Sequence, residues 1–293
     1  MTAKVPAPAG PERRRRTLRK GLRVGVVLTA LGVSNALSLS MLASPSSAAT
    51  DLVINGCTIV DNPTPEHHTD CPGANLVFNS AGQFNSLAYV NVSYANLFGA
   101  TLSVMRLAGI HLYKANLSHA NLSGADLEGA DLILANLSGA DLRNANLTYT
   151  PADLYLANLS GADLSYAKLY DVRLASADLR NAKLGGAKLS DANFTDADLS
   201  GADLKPVPCN PHPCETLLEN AILKHSNLNR ANLTKAYLLH ADLFTANLSG
   251  ANLADAELQY ASFVRADLSY ANLVGAHRFE TNMQDANLTG TKF

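Results

Sequence analysis

The sequence predicts an all-β solenoid, and three observations carry that expectation. Between Asn121 and Leu142 a leucine recurs at every fifth residue: Leu122, Leu127, Leu132, Leu137 and Leu142. Two places before each stands an alanine, from Ala120 to Ala140, and Asn or Asp fills the place between them. The period of five fits neither a helix nor a long strand. It does fit a short extended piece followed by a corner. In extended backbone, Ala and Leu two apart point to one side and the Asn or Asp between them points to the other. The last two places, mostly Ser, Thr, Gly, Tyr or charged, suit a turn. Wound up, the chain buries a thin stack of Leu and Ala beneath a polar exterior.

One such unit cannot stand alone. Ordering five residues costs roughly 5–10 kcal/mol, whereas burying one Leu returns roughly 1.5–3 kcal/mol. Hydrogen bonds and packing between stacked coils must supply the difference. The A-[DN]-L-x-x units resemble the pentapeptide-repeat family, from about Asn85 to Phe293. The resemblance implies a right-handed quadrilateral parallel β-helix with four units per coil. The central residue and the one two before it would then face inward. Counting units gives about ten coils. Few functions are attached to the family, so the resemblance implies more about fold than about activity.

Before Thr50 the chain reads as a targeting segment. Arg13 to Arg16, Arg19 and Lys20 precede a mostly apolar run from Val24 to Ala43, and Ser47-Ala48-Ala49 offers small residues for cleavage. Residues 1–49 are therefore expected to be a signal peptide, with an uncleaved membrane anchor as the alternative. The protein is expected to be secreted. Eight of the 23 basic residues and one of the 25 acidic ones lie in this segment, leaving about −9 for the remainder. That balance argues against direct nucleic-acid binding.

Residues 50–84 are irregular, with Pro63, Pro65 and Pro72, and read as a cap over the first coil. Asp51 to Ile54 and Cys57 to Val60 read as short strands. Cys57 and Cys71 are expected to pair in an oxidising compartment. A metal site with His67 and His68 is the alternative. Within residues 85–293, Val90, Met105 and Ile110 stand where a small inward residue is expected, which predicts a wider or distorted coil. Thr150-Pro151 inserts two residues, predicting a bulged corner because proline cannot donate to a ladder. Phe194 is an aromatic centre. Residues 205–220 break the repeat, which resumes at Ala221-Ile222-Leu223.

That break holds the best candidate for recognition: Asn210, Pro211, His212 and Pro213 between Cys209 and Cys214. Loops on rigid scaffolds commonly carry recognition. The resemblance adds that interrupting loops matter in family members that protect gyrase from quinolones, although no motif is shared. Cys209 and Cys214 are expected to form a small disulfide; zinc would need four ligands, and only His212 joins them locally. Columns of residues twenty apart, such as Asn96, Asn116 and Asn136, and Asn232, Asn252 and Asn272, read as amide ladders. Asp163, Lys183 and Asp203 alternate in sign, and Lys168 stands over Lys188.

No nucleophile, acid–base pair, phosphate loop, metal or cofactor motif stands out, so neither catalysis nor a cofactor is expected. The function expected is a non-enzymatic scaffold for an unidentified protein or envelope component. The alternatives are an acidic DNA-mimicking rod that binds a topoisomerase and an extracellular β-helical enzyme acting on polysaccharide. Near the end, Arg278 occupies a centre meant for Leu. Burying an unpaired guanidinium is costly, so a bulge at His277 to Glu280 is expected, turning Arg278 outward and Phe279 inward. An exposed layer with Leu288 and Phe293 suggests an end-to-end homodimer.

Overall fold

Each pentapeptide forms one side of a coil and satisfies its five N–H groups in a fixed way. In Asn116–Ala120, the Asn116 N–H donates to Ala95 C=O in the coil before, at 2.7 Å. Leu117 donates to Asn136 C=O and His119 to Ser138 C=O in the coil after, at 2.7 and 2.9 Å. Ala120 closes a four-residue turn onto Leu117 C=O at 3.0 Å. The remaining N–H, that of Ser118, donates to the Asn116 Oδ1 at 3.2 Å. This Asx turn is the reason for Asn or Asp in the unit. A carboxamide or carboxylate there supplies the one acceptor that the backbone lacks.

These bonds recur along a computed structural model that describes residues 52–54, 56–60, 63–76, 86–148 and 152–293. All lie within the unit Met41–Phe293. Parallel bridges join residues twenty apart, as in Asn96, Asn116 and Asn136, so four units close each coil. The residue before the inward Ala, His119 in Asn116–Ala120, lies at positive φ at every described corner, at 57° for His119, as the third residue of a type II turn must. Leu122, Leu127, Leu132, Leu137 and Leu142 are fully buried, as are Phe194 and Phe263. The expected targeting segment, 1–49, lies outside the described residues.

Of the bulky inward residues, Val90 and Ile110 close their turns at an ordinary 3.1 Å, and only the turns at Met105 and Val172 are stretched. Met105 and Val172 close theirs at 3.4 Å, against 3.0 Å for Ala120. Distortion is thus confined to single corners. At the two-residue insertion Ala152 donates to Leu147 C=O at 3.3 Å, and the bridge spacing there shifts from Asp126–Asn146 to Asp131–Asp153. Pro151 itself lies outside the described residues, but the ladder on either side is intact.

Three boundaries differ from expectation. The ladder starts inside the expected cap: Asp70 bridges Asn96 and Asn75 bridges Thr101. Thr69-Asp70-Cys71 and Ala74-Asn75-Leu76 are therefore units, with Thr69 and Leu76 fully buried. An antiparallel hairpin of β1 (Leu52–Ile54) and β2 (Cys57–Ile59) precedes them. Val60 N–H donates to the Thr69 hydroxyl at 3.0 Å, joining hairpin to coil. Second, the ladder resumes after the loop at Leu217, bridged to Lys188, one unit earlier than expected. Thr216 takes the buried inward place, and its hydroxyl accepts from Gly186 N–H and donates to Leu184 C=O.

Third, the expected bulge at His277 to Glu280 is absent. His277 bridges Glu257, and Tyr260 N–H donates to Phe279 C=O at 3.0 Å, so register is kept. Phe279 points outward and is 62% exposed. Arg278 keeps its central place without being buried, because none of the described residues stacks on the layer of Arg278, Met283, Leu288 and Phe293. Its guanidinium lies 4.6 Å from the centre of the Phe293 ring, a cation–π contact. As expected, Leu288 and Phe293 are exposed, at 39% and 52%.

The amide columns form partly. Asn116 Nδ2 donates to Asn96 and Asn136 Nδ2 to Asn116, at 3.1 and 3.4 Å. Asn272 donates to Asn252, but Asn252 turns to the Thr234 hydroxyl instead of Asn232. The Asx bond is the more general role, since Asp serves it equally. Asn116→Ala should therefore cost about 1–3 kcal/mol, because it removes the Asx turn and both ladder bonds. Asn116→Asp keeps the turn and should cost less than half as much. Denaturant unfolding of the two variants separates these roles.

Candidate functional site

The loop leaves the coil after Leu204 and returns at Thr216, and several contacts hold it down. Val207 and Cys214 form an antiparallel bridge, N–O 3.0 and 2.9 Å. Tyr166 donates its hydroxyl to Pro208 C=O at 2.7 Å. Beneath lie Gly185 and Gly186, in a turn. A Cβ on Gly186 would stand 2.9 Å from Val207, 3.1 Å from Cys214 and 3.2 Å from Tyr166. The paired glycines make room for the loop to lie flat, a seat that sequence reading missed. The signal was Gly-Gly filling both turn places of one unit.

Cys209 and Cys214 stand at disulfide distance, Cα 5.4 Å apart, and Cys57 and Cys71 likewise at 5.5 Å. Asn210, Pro211, His212 and Pro213 are all exposed at the tip. Among the described residues no three His, Cys, Asp or Glu side chains gather as metal ligands, so neither His212 nor the pair His67 and His68 joins the cysteines in such a group. The expected charge columns are seen. Lys183 lies 3.8 Å from Asp163, and Lys188, stacked on Lys168, reaches Glu215 C=O at 3.5 Å. Arg143 and Arg180 fold back on Asp141 and Asp178, each at 2.6 Å. Those hydrogen bonds hold both carboxyls below their ordinary range. Both pairs face solvent and contribute little.

A four-sided parallel β-helix of five-residue units, broken by one clamped loop, defines a repeat scaffold. The family model for pentapeptide repeats matches in eight copies, at residues 110–148, 152–175, 173–205, 215–250 and 246–277. The chain belongs to that family, whose members fold as right-handed quadrilateral β-helices and are in general non-enzymatic structural or interaction proteins. Among solved structures it is similar to HetL, a pentapeptide repeat protein involved in heterocyst differentiation regulation from the cyanobacterium Nostoc sp. strain PCC 7120. Identity is 35% over 71% of this chain and 91% of HetL, TM-score 0.28. It is also similar to trypsin-treated QnrB1, a plasmid-mediated fluoroquinolone resistance protein, at 18% identity over 71% of this chain and 88% of QnrB1, TM-score 0.34. A third is a pentapeptide repeat protein from the Arabidopsis thaliana thylakoid lumen, at 26% identity over 48% of this chain and 69% of that one, TM-score 0.15. No curated protein matches.

Gly186 and Gly161 share a positive φ, 71° and 66°, but a Cβ at Gly161 meets nothing. Alanine at either place costs about 1–3 kcal/mol of backbone strain. Only Gly186→Ala should also unseat the loop. Hydrogen exchange at the Val207 and Cys214 amides should then accelerate in Gly186→Ala and stay unchanged in Gly161→Ala.

Proposed function

We propose that the protein is an exported, non-enzymatic scaffold that presents the Cys209–Cys214 loop to another macromolecule or to an envelope component. The observation that carries this reading is the clamped loop: four exposed residues, Asn210 to Pro213, on a base fixed by Val207, Cys214 and Tyr166. Fixing a loop before binding lowers the entropy lost on association. Two cysteine pairs at disulfide distance support an oxidising compartment, in keeping with the targeting pattern before Thr50. The DNA-mimic alternative draws on the charge of about −9 carried from Thr50 onward. Against it, Lys168 stacks on Lys188, and Arg173 and Lys183 stand among the carboxylates of two further sides, so three of the four sides carry cations at their bridging positions.

Mass spectrometry of the protein from its native host should find a mature N-terminus near Thr50. Labelling of that protein, unfolded but unreduced, should find essentially no free thiol. A cytoplasmic chain with Met1 intact and four reactive thiols would favour the topoisomerase alternative, and an intact chain in membranes the anchor. The loop itself is tested by cross-linking in the host, where replacing Asn210 to Pro213 with Gly-Ser residues should remove the principal adduct.

The reading includes an end-to-end homodimer. The last layer exposes Leu288, Phe293 and the N–H groups of Met283 and Leu288, a strand edge open to pairing. Light scattering should give a dimer at tens of micromolar, converted to monomer by Phe293→Asp. A monomer in both would refute it.

A further inference from the structure

One side of the solenoid departs from the Asn/Asp rule over six successive coils, first at Lys168 and Lys188 and then at the four residues Leu217, Tyr237, Glu257 and His277. The opposite side, with Asp198, Asn227, Asn247, Asp267 and Asn287, keeps it throughout. Without the short side-chain oxygen, the turns that follow those four residues lose the Asx bond. On the neighbouring sides Arg173, Lys183, Ile222 and Ser262 depart from it singly, whereas an unbroken run of departures marks a place shaped by something other than stability.

The same column borders an open groove of about 410 Å³, directly where the loop returns to the coil. Glu215, Lys235, Tyr237, Asp255, Glu257 and His277 line it. Gly275 leaves room for the Asp255 carboxylate, which a Cβ at that place would strike. Glu257 accepts from Gln259 at 2.7 Å and pairs with His277 at 2.8 Å, which fixes its direction. Burial, with the Glu215 carboxylate and the carboxylates of Glu257 and Glu219 nearby, pushes the Tyr237 phenol above its ordinary value. The Asp255 carboxylate has no hydrogen bond or ion pair among the described residues. At the next corner of the same coils, His240 stacks on Tyr260 at 4.9 Å, and Phe279 meets Tyr260 edge-on at 5.6 Å.

Three carboxylates against one lysine give the groove a negative excess. The groove's carboxylates do not converge on one ion as metal ligands would, and the space suits an organic group. Carboxylates beside exposed aromatic rings are the chemistry that recognises guanidinium and ammonium groups, through bidentate hydrogen bonds and cation–π contacts. Guanidinium fits best, being planar and weakly hydrated. We infer that this groove and its aromatic border form a docking surface for an arginine- or lysine-rich segment of a partner protein. The inference rests on the scaffold reading, but on neither export nor the loop tip.

Nona-arginine labelled with fluorescein provides the test, read by anisotropy on the purified full chain at low and physiological salt. Binding should appear at low salt and weaken as salt screens it. Glu215→Gln/Asp255→Asn should weaken it at least tenfold. The charge-matched control Asp196→Asn/Asp267→Asn, which sits at another corner and another side, should change it less than twofold. All four replacements are near-isosteric, and circular dichroism checks that both double variants fold. Equal losses in the two variants would reduce the effect to net charge and overturn the assignment, as would no binding at low salt. Binding of ethylguanidinium without the peptide would make the groove a small-molecule site and overturn the protein-partner assignment. Because the peptide is added to purified protein, a negative result leaves the loop reading standing, and failure of the loop cross-link leaves the groove standing.

Discussion

Satisfying five N–H groups in every five residues is the constraint on which the rest of this structure depends. Two bonds run to the coil after, one to the coil before, one closes the turn and one goes to the side chain of Asn or Asp. Buried or crowded backbone tolerates few orphan donors, and a corner every five residues leaves little freedom in how to pair them. The positive φ at each corner follows from that. Even Val104 and Thr245, β-branched residues that avoid this region, adopt it at 51° and 53°. The strain at each is of order 1–3 kcal/mol, and the bonds on either side of the corner hold it in place.

The fold was legible because its core is written locally. Leu at one place and Ala two before it state the inward pair within three residues, and the period states the stacking. What the period could not state was where stacking stops. Ala74-Asn75-Leu76 obeys the rule but stands among prolines and cysteines, and Thr69-Asp70-Cys71 obeys it with Thr inside and a cysteine at the centre. Thr216-Leu217-Leu218 hides in the same way. A threonine can enter the core only if its hydroxyl finds partners, and Gly186 N–H and Leu184 C=O lie about thirty residues back. Arg278 shows the converse. Burying its charge would be costly, but burial requires a covering coil, and none of the described residues covers it.

The candidate sites were legible to different degrees. The loop announced itself through two cysteines and four prolines in a chain otherwise free of them for fifty residues. Its seat did not, since Gly185 and Gly186 lie some twenty residues before it. The groove was missed, although Tyr237, Glu257 and His277 follow the column spacing of twenty. Their signal was a departure from Asn/Asp, and such departures carry meaning only once the Asx bond has given that place a job. The place of Glu215 in the groove depends on the path of the loop, which spacing does not contain.

A pentapeptide that obeys the rule has little left with which to bind anything. Its Leu and Ala are inside, and its Asn or Asp is committed to the turn and often to the neighbouring coil, as Asn116 is on both sides. Only the two corner residues are free, and they are small or polar at most corners. Chemistry available to a partner must therefore collect where the rule fails. It fails at the loop, where nine extra residues separate Lys188 from Leu217 beyond the usual twenty. It fails along the column from Leu217 to His277, which loses Asx bonds and gains a carboxylate, a phenol and an imidazole. The two failures adjoin at Glu215, which lines the groove together with Tyr237. In a fold that spreads stability evenly over identical units, losing several such bonds in one region is affordable only because the coils on both sides remain regular. That regularity lets the scaffold hold an irregular surface still.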